Sequence, residues 1–171
     1  MLRRDRFMQK TIVILLEDVL SRLESDTERL VLEAKVLSDE YLAWWDPKRE
    51  MKLILKEPSQ SHREAQTGQL RPVVRNRTNI NKWYIEWTTE GCYKTKKINS
   101  AWSKSITPSK TRGYTYELLR KNSDEWELET AWNLELEFKV IRSALNAIHR
   151  SKVDIKKLIK RQKEDENDSE E

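Results

Sequence analysis

The sequence contains few of the residues from which familiar catalytic and cofactor-binding motifs are built. Its single cysteine, Cys92, excludes an internal disulfide and fits a reducing compartment. Its three glycines stand far apart, which excludes a GxGxxG or Walker loop, because those loops need closely spaced glycines to bring backbone N–H groups onto phosphate. Its two histidines, His62 and His149, cannot complete a zinc site of the Cys/His type even with Cys92, because such a site needs four ligands. We therefore expect no catalytic residue, no metal site and no cofactor.

Long apolar runs are also absent. Hydrophobic residues make up 37% of the chain and the mean hydropathy is −0.86. No stretch approaches the roughly 18 uncharged apolar residues that would span a membrane. The short apolar stretch 11–16 meets Glu17-Asp18 without a small-residue cleavage site, so no signal peptide is expected. We expect a cytoplasmic protein that does not contact a membrane.

The net charge of +4 hides an uneven distribution. Residues 1–47 sum to −3, residues 48–112 to +10, residues 113–163 to +3 and residues 164–171 to −6. A basic block between more neutral flanks is typical of a protein that binds a polyanion, and a solubilising surface is the alternative. The tail 164–171 has six acids and no apolar residue, so we expect it to be disordered.

Apolar residues repeat at heptad spacing near the start of the chain. The stripe skips Asp26 and Glu33, and residues 25–28 fit a capping box, but the phase continues through them. We predict one helix over residues 7–45, ended by Asp46-Pro47, because the residue before proline is disfavoured in a helix. The stripe consists of Ile12, Leu16, Val19, Leu23, Leu30 and Leu37.

A second helix is predicted over residues 122–163. An N-cap sequence opens it at residues 122–125, no glycine or proline follows, and acids lie early and bases late, as the helix dipole favours. Its stripe skips Lys152 and consists of Leu134, Phe138, Ile141, Leu145, Ile148, Ile155 and Ile159. The two stripes fit either an intramolecular pair of helices or a coiled-coil homodimer, with Asp26, Glu33 and Lys152 fixing the register.

Between the helices, alternating patterns predict strands. We predict a strand at residues 51–56 (MKLILK) and a flexible loop at residues 57–70. We predict an edge strand at residues 71–77 (RPVVRNR), because this segment contains Pro72. Residues 81–89 alternate cleanly, which places Trp83 and Trp87 in the core, and a turn at Glu90-Gly91 returns the chain through a strand at 92–98. Residues 114–119 are a third strand or lead into the helix. The prediction is an α+β fold in which long N- and C-terminal helices with coiled-coil-like stripes flank a small antiparallel β-sheet.

Four segments follow from this reading. They are a long N-terminal helix (1–47), a basic antiparallel sheet region (48–121) that includes the loop 57–70, a long C-terminal helix (122–163) and an acidic tail (164–171).

The basic residues of the sheet region are interleaved with aromatic residues. Residues 94–112 contain no acid. Lysine and arginine neutralise phosphates, aromatic rings stack on bases, and a β-ribbon fits the major groove. We predict double-stranded DNA as the partner, although for Trp102 a place in the core remains open. The predicted contacts are Arg75, Arg77, Lys82, Lys94, Lys96, Lys97, Trp102, Lys104, Lys110 and Arg112.

The order of short motifs over about residues 80–145 resembles the MobI family of conjugative-transfer proteins. The motifs are Tyr84-Ile85-Glu86-Trp87, Arg112-Gly113-Tyr114-Thr115-Tyr116, Asp124-Glu125-Trp126-Glu127 and Phe138-Lys139-Val140-Ile141-Arg142. The resemblance implies an accessory mobilisation factor that acts at the origin of transfer and assists the relaxase. The alternative is a helical protein–protein interaction scaffold that does not bind DNA itself.

Overall fold

A computed structural model describes residues 2–62, 64–90 and 103–168, and its architecture confirms the predicted α+β class. Two long helices flank a three-stranded antiparallel sheet of order β1-β2-β3. In the described ranges, no helix has the length and apolar character needed to cross a membrane. The elements are α1 Leu2–Leu55, β1 Leu70–Arg77, β2 Lys82–Thr89, β3 Lys104–Ser105, α2 Tyr116–Asn122 and α3 Glu125–Asp168.

The chain forms two compact units, the first of which is built from two separate stretches of sequence. The first unit combines Met1–Leu32 with Ser143–Glu171, and the second is Glu33–Arg142. The first unit is therefore a pair of helical segments, whereas the second contains the sheet, α2 and the adjoining parts of α1 and α3.

Helix α1 is longer than predicted, because it continues through Pro47 to Leu55. The expected end at Asp46-Pro47 and the expected strand at 51–56 are both wrong. Proline inside a helix costs about 3 kcal/mol. Side chains after the proline pack on tryptophans: the Lys48 ammonium lies 4.2 Å from the centre of the Trp44 ring, and the Arg49 guanidinium lies 5.1 Å from that of Trp45.

The stripe of α1 that is shielded from solvent is shifted from the predicted one. Leu16, Leu23, Leu30 and Leu37 are half-buried as members of the stripe, but Ile12 and Val19 are 46% and 43% exposed. Asp26 and Glu33 are also exposed, and the half-buried polar position is Thr27, whose hydroxyl donates to the Leu23 carbonyl oxygen at 2.7 Å. Val13 and Leu20, each one residue after Ile12 and Val19, take their places in the shielded stripe. The sequence therefore contains two adjacent apolar stripes, and only one of them is shielded from solvent.

In the first unit, the two helical segments run antiparallel and pair within one chain. Lys152 Nζ lies 3.5 Å from Glu24 Oε1, and Lys163 Nζ lies 3.0 Å from Glu17 Oε1. Lys152 keeps only 15% of its side chain exposed, so it occupies the gap in the α3 stripe, as predicted.

The acidic tail does not begin at residue 164, because α3 continues to Asp168. No glycine or proline interrupts it, and Lys160 pairs with Glu164 one turn later at 3.5 Å. The predicted end of the helix at residue 163 is therefore five residues too early, and residues 169–171 lie outside the described part.

The sheet is built around the β1–β2 hairpin. All eight residues of β1 pair with β2, from Leu70 opposite Thr89 to Arg77 opposite Lys82. Among the described strands, β1 lies at the edge of the sheet, as predicted from Pro72, which has no N–H to donate. The strand predicted at 92–98 falls outside the described residues. Residues 114–119 lead into α2, whose N-cap Thr115 accepts a hydrogen bond from Leu118 N at 3.2 Å.

One face of the sheet, here called the inner face, packs on α1 and α3. Trp87 is fully buried, as predicted, with its ring 5.6 Å from Tyr41 of α1 and 6.1 Å from Phe138 of α3. Ile85 and Leu70 are buried on the same face, whereas Trp83 is half-buried.

The first turn of α3 anchors the chain just before β1. Glu127 accepts hydrogen bonds from the Trp45 indole at 2.5 Å, from Gln69 N and Asp124 N at 2.9 Å, and from Leu70 N at 3.2 Å. Burial raises the pKa of Glu127, and these N–H donors offset part of that effect. The Glu127 carboxylate therefore joins α1, α3 and β1.

The end of the loop predicted as flexible is held by the same turn of α3. Asp124 accepts from Gly68 N at 2.8 Å and from the Gln69 side chain at 3.2 Å. Thr67, Gly68, Gln69 and Leu70 are buried, so the prediction of a flexible loop is wrong for this end. Gly68 has φ +85°, and a Cβ there would lie 2.7 Å from the Trp126 ring. Only glycine therefore fits at this position.

Two turns further along α3, Glu135 accepts a hydrogen bond from the Trp87 indole at 2.8 Å and pairs with Arg142. Burial raises the pKa of Glu135, and the Arg142 charge opposes that shift. Arg142 also donates to the Ile85 carbonyl oxygen at 3.4 Å. The sheet is thereby fixed to α3 by polar contacts as well as by ring packing.

The helical pair can be tested with Leu145→Ala. Leu145 is 6% exposed, so the substitution should lower the free energy of unfolding by about 2–5 kcal/mol through lost burial and a cavity. Ile12→Ala is the control and should change it by less than about 0.5 kcal/mol, because surface substitutions have small effects. Urea denaturation of both variants checks this, and equal effects would contradict the observed stripe.

The carboxylate–indole contact can be tested with Trp87→Phe, which keeps a ring but removes the donor to Glu135. We expect a loss of about 1–3 kcal/mol in unfolding free energy, because the buried carboxylate loses a partner. Trp87→Ala should cost more, about 3–5 kcal/mol. Thermal melts of both are compared with Trp132→Phe, whose ring packs against Tyr116 at 5.5 Å. A stable Trp87→Ala variant would contradict the core position.

Candidate nucleic-acid interface

The β1–β2 hairpin presents a basic surface on the side opposite the inner face. Side chains alternate along a strand, so burial of Leu70, Ile85 and Trp87 on one side directs their neighbours to the other. We call this other side the outer face. Its charged and aromatic residues are Arg71, Arg75, Arg77, Lys82, Tyr84 and Glu86. Four cations therefore share a face with one carboxylate.

Tyr84 is the aromatic centre of the outer face. The Arg77 guanidinium lies 4.5 Å from the centre of its ring, and the Lys82 ammonium lies 5.3 Å from it. Both contacts fall within the range of cation–π attraction. They hold two cationic side chains beside one half-buried ring.

Carboxylates at two points restrain the arginines. Glu86 pairs with Arg75 and also with Arg77, the latter at 3.1 Å. At the other end of the hairpin, Glu90 pairs with Arg71 at 2.7 Å and with Arg49 of α1 at 3.2 Å. Arg75 and Arg77 nevertheless keep 45% and 48% of their side chains exposed, so both remain accessible to a ligand.

Exposure increases toward the turn of the hairpin. The base is buried at Trp87, Thr88 and Thr89, whereas residues 77–81 are exposed. The turn is closed by Ile80 N donating to the Arg77 carbonyl oxygen at 3.1 Å, and Asn81 adopts φ +44°. Ile80 is 48% exposed at the tip. The hairpin thus offers its basic end to solvent.

The structure brings together only some of the residues predicted from the sequence. Arg75, Arg77 and Lys82 share the outer face. Lys104 is exposed on β3, where it pairs with Thr89. Thr89 points to the inner side of the sheet and paired residues share a side, so Lys104 does not extend the outer face.

Lys110 and Arg112 are exposed in a separate tight turn, which is closed by two hydrogen bonds between Ser109 and Gly113 at 2.9 and 3.0 Å. The other four predicted contacts, Lys94, Lys96, Lys97 and Trp102, lie outside the described residues.

Sequence reasoning did not select Arg71, Tyr84 or Glu86 as site residues. The alternation of residues 81–89 had placed Tyr84 and Glu86 opposite the tryptophans. Pairing that strand with residues 70–77 through the turn at 78–81 would have placed both beside Arg75 and Arg77.

The outer face has the chemistry of a binding surface. Its arginines can donate two parallel hydrogen bonds to a phosphate, and its ring can contact a sugar or a base. In the described part of the chain, no three His, Cys, Asp or Glu side chains are grouped so that they could hold a metal ion.

The comparisons with known proteins give one family. The family model described as "MobI: MobI protein" matches residues 30–156. No curated protein and no solved structure matches the chain. The matched region includes all six described helices and strands in whole or in part, and it contains the outer face. With the match covering well over half of its length, the chain belongs to the MobI family, whose proteins are related to mobilisation.

Proposed function

We propose that the protein is a DNA-binding accessory factor for conjugative transfer, which binds duplex DNA through the outer face of β1–β2. The observation that carries the proposal is the cluster of Arg75, Arg77 and Lys82 around Tyr84 on an exposed hairpin. Action at the origin of transfer and assistance to a relaxase are also part of the proposal, and membership of the MobI family, rather than the contacts, is what supports them.

The dimensions of the hairpin support a duplex as the ligand. Two paired strands lie roughly 5 Å apart, and the major groove is about 12 Å wide, so it admits a two-stranded ribbon. In this arrangement the exposed turn of the hairpin enters the groove first, and the base at Trp87 stays buried against the helices. Arg75, Arg77 and Lys82 then lie near the phosphates that border the groove.

Electrostatic binding of this kind has a measurable signature. If the protein neutralises about six phosphates, log K should fall with log salt at a slope of about −5, nearly a thousandfold between 50 and 200 mM. The measurement uses labelled duplex carrying an origin of transfer, with a large excess of unrelated competitor. A flat salt response, or no binding to any duplex at low salt, would contradict the proposal.

The outer face is tested by the double variant Arg75→Ala/Arg77→Ala. For this variant, the slope of log K against log salt should be shallower by about 1–2, because up to two phosphate contacts are lost. The control is Arg22→Ala/Arg29→Ala, which removes two exposed arginines of α1 that also pair with carboxylates. If both double variants weaken binding equally, net charge rather than the outer face determines affinity. Thermal melts verify that the variants fold.

A second candidate function is a helical scaffold that binds another protein without contacting DNA. It is favoured by exposed apolar side chains on one side of α1: Ile12, Leu15 and Val19 are 46%, 58% and 43% exposed at helical spacing. Such a strip could receive a second copy of the chain or a relaxase.

The scaffold is tested with Leu15→Glu. If the strip holds two copies together, sedimentation should show a dimer for the wild type and a monomer for this variant, because a charge would enter an apolar interface. Glu28→Gln is a control on an exposed position of α1. A wild type that is monomeric at all concentrations would remove homodimerisation from this candidate function.

A further inference from the structure

We propose that Glu86 is an internal competitor for phosphate, which lowers the affinity of the outer face for DNA of arbitrary sequence. This inference rests on the proposed function, because it assigns a role to a residue of the same face. It is independent of the origin of transfer and of the relaxase.

The geometry places one carboxylate against both arginines. Arg75 pairs with one oxygen of Glu86, and Arg77 Nη2 lies 3.1 Å from the other. In the register of the hairpin, Glu86 is opposite Val73, so Arg75 reaches it diagonally. Arg77 is opposite Lys82 and reaches Glu86 across the Tyr84 ring. Both guanidinium groups are thus directed along the hairpin toward Glu86.

A carboxylate and a phosphate use the same donors of arginine. The planar guanidinium offers paired N–H groups that match either anion. A phosphate that binds Arg75 or Arg77 must therefore displace Glu86 or share the arginine with it. Glu86 is only 14% exposed and lies beside both arginines, so its charge also repels the arriving phosphate.

This competition affects some DNA ligands more than others. DNA of arbitrary sequence offers phosphates but no base edges placed to match the hairpin, so its binding bears the whole cost of displacing Glu86 or of being repelled by it. A sequence that places base edges against the hairpin compensates for that cost, because guanine accepts from arginine and cytosine donates to a carboxylate. Glu86 therefore favours a specific site over the rest of the DNA.

The test compares Glu86→Gln with the wild type on mixed-sequence duplex at several salt concentrations. We expect about tenfold tighter binding, because phosphate no longer competes with two ion pairs to a charged group, and a salt slope steeper by about 1. The control Glu117→Gln removes the same charge from an exposed ion pair with Arg120 on α2. It should bind like the wild type.

A second comparison assigns the effect to the arginines. In the Arg75→Ala/Arg77→Ala background, Glu86→Gln should tighten binding by much less than tenfold. A full tenfold gain in that background would show general charge repulsion and overturn the inference. Thermal melts confirm that each variant is folded.

The outcomes for the wild type separate this inference from the proposed function. If the wild type binds duplex DNA and Glu86→Gln binds it equally or more weakly, the inference is wrong and the proposed function stands. Equal tightening by Glu117→Gln also overturns the inference alone. If neither the wild type nor Glu86→Gln binds any duplex at low salt, the proposed function fails, and the inference fails with it.

Discussion

The compact unit of residues 33–142 depends on two buried carboxylates of α3, each of which accepts a hydrogen bond from a tryptophan indole. Glu127 accepts from Trp45 of α1, and Glu135 accepts from Trp87 of β2. A buried carboxylate is costly unless donors surround it, and here backbone N–H groups, indoles and Arg142 supply them. Because the donors come from different elements, satisfying the carboxylates fixes where α1, the sheet and α3 meet.

This constraint also determines which side of the hairpin is free. Trp87 is held by Glu135 and packed between Tyr41 and Phe138, so the face that carries it must point toward the helices. The two-residue alternation of a strand then forces Tyr84 and Glu86 outward, where β1 places Arg75 beside them. The candidate interface is thus a consequence of how the core is held. A shift of one residue in β2 would turn its tryptophans to solvent and its charges inward.

Elements with a clear local pattern could be predicted from the sequence. Predictions were wrong where packing between elements determines the end of a helix or which of its faces is shielded from solvent. The alternation around Trp87 and the uninterrupted α3 were read correctly. The end of α1 was wrong because Pro47 is a local signal, whereas Lys48 and Arg49 pack on tryptophans. The stripe of α1 was displaced because Ile12 and Val13 are equally apolar, and only the partner helix selects between them. Of the outer face, Arg75, Arg77 and Lys82 were predicted, but Glu86 required the pairing of β1 with β2.

The motifs that resemble the MobI family mostly maintain the fold. Asp124 and Glu127 hold the start of β1, Gly113 adopts φ +69°, and Tyr114 donates to the Ile106 carbonyl oxygen. Substituting such residues should therefore destabilise the fold. The proposed binding of DNA must instead be tested at residues whose substitution leaves the core intact. Arg75 and Arg77 meet that condition and lie outside the motifs, and Glu86 meets it inside one. A motif can therefore identify the family while two of the proposed DNA contacts, Arg75 and Arg77, stand outside it.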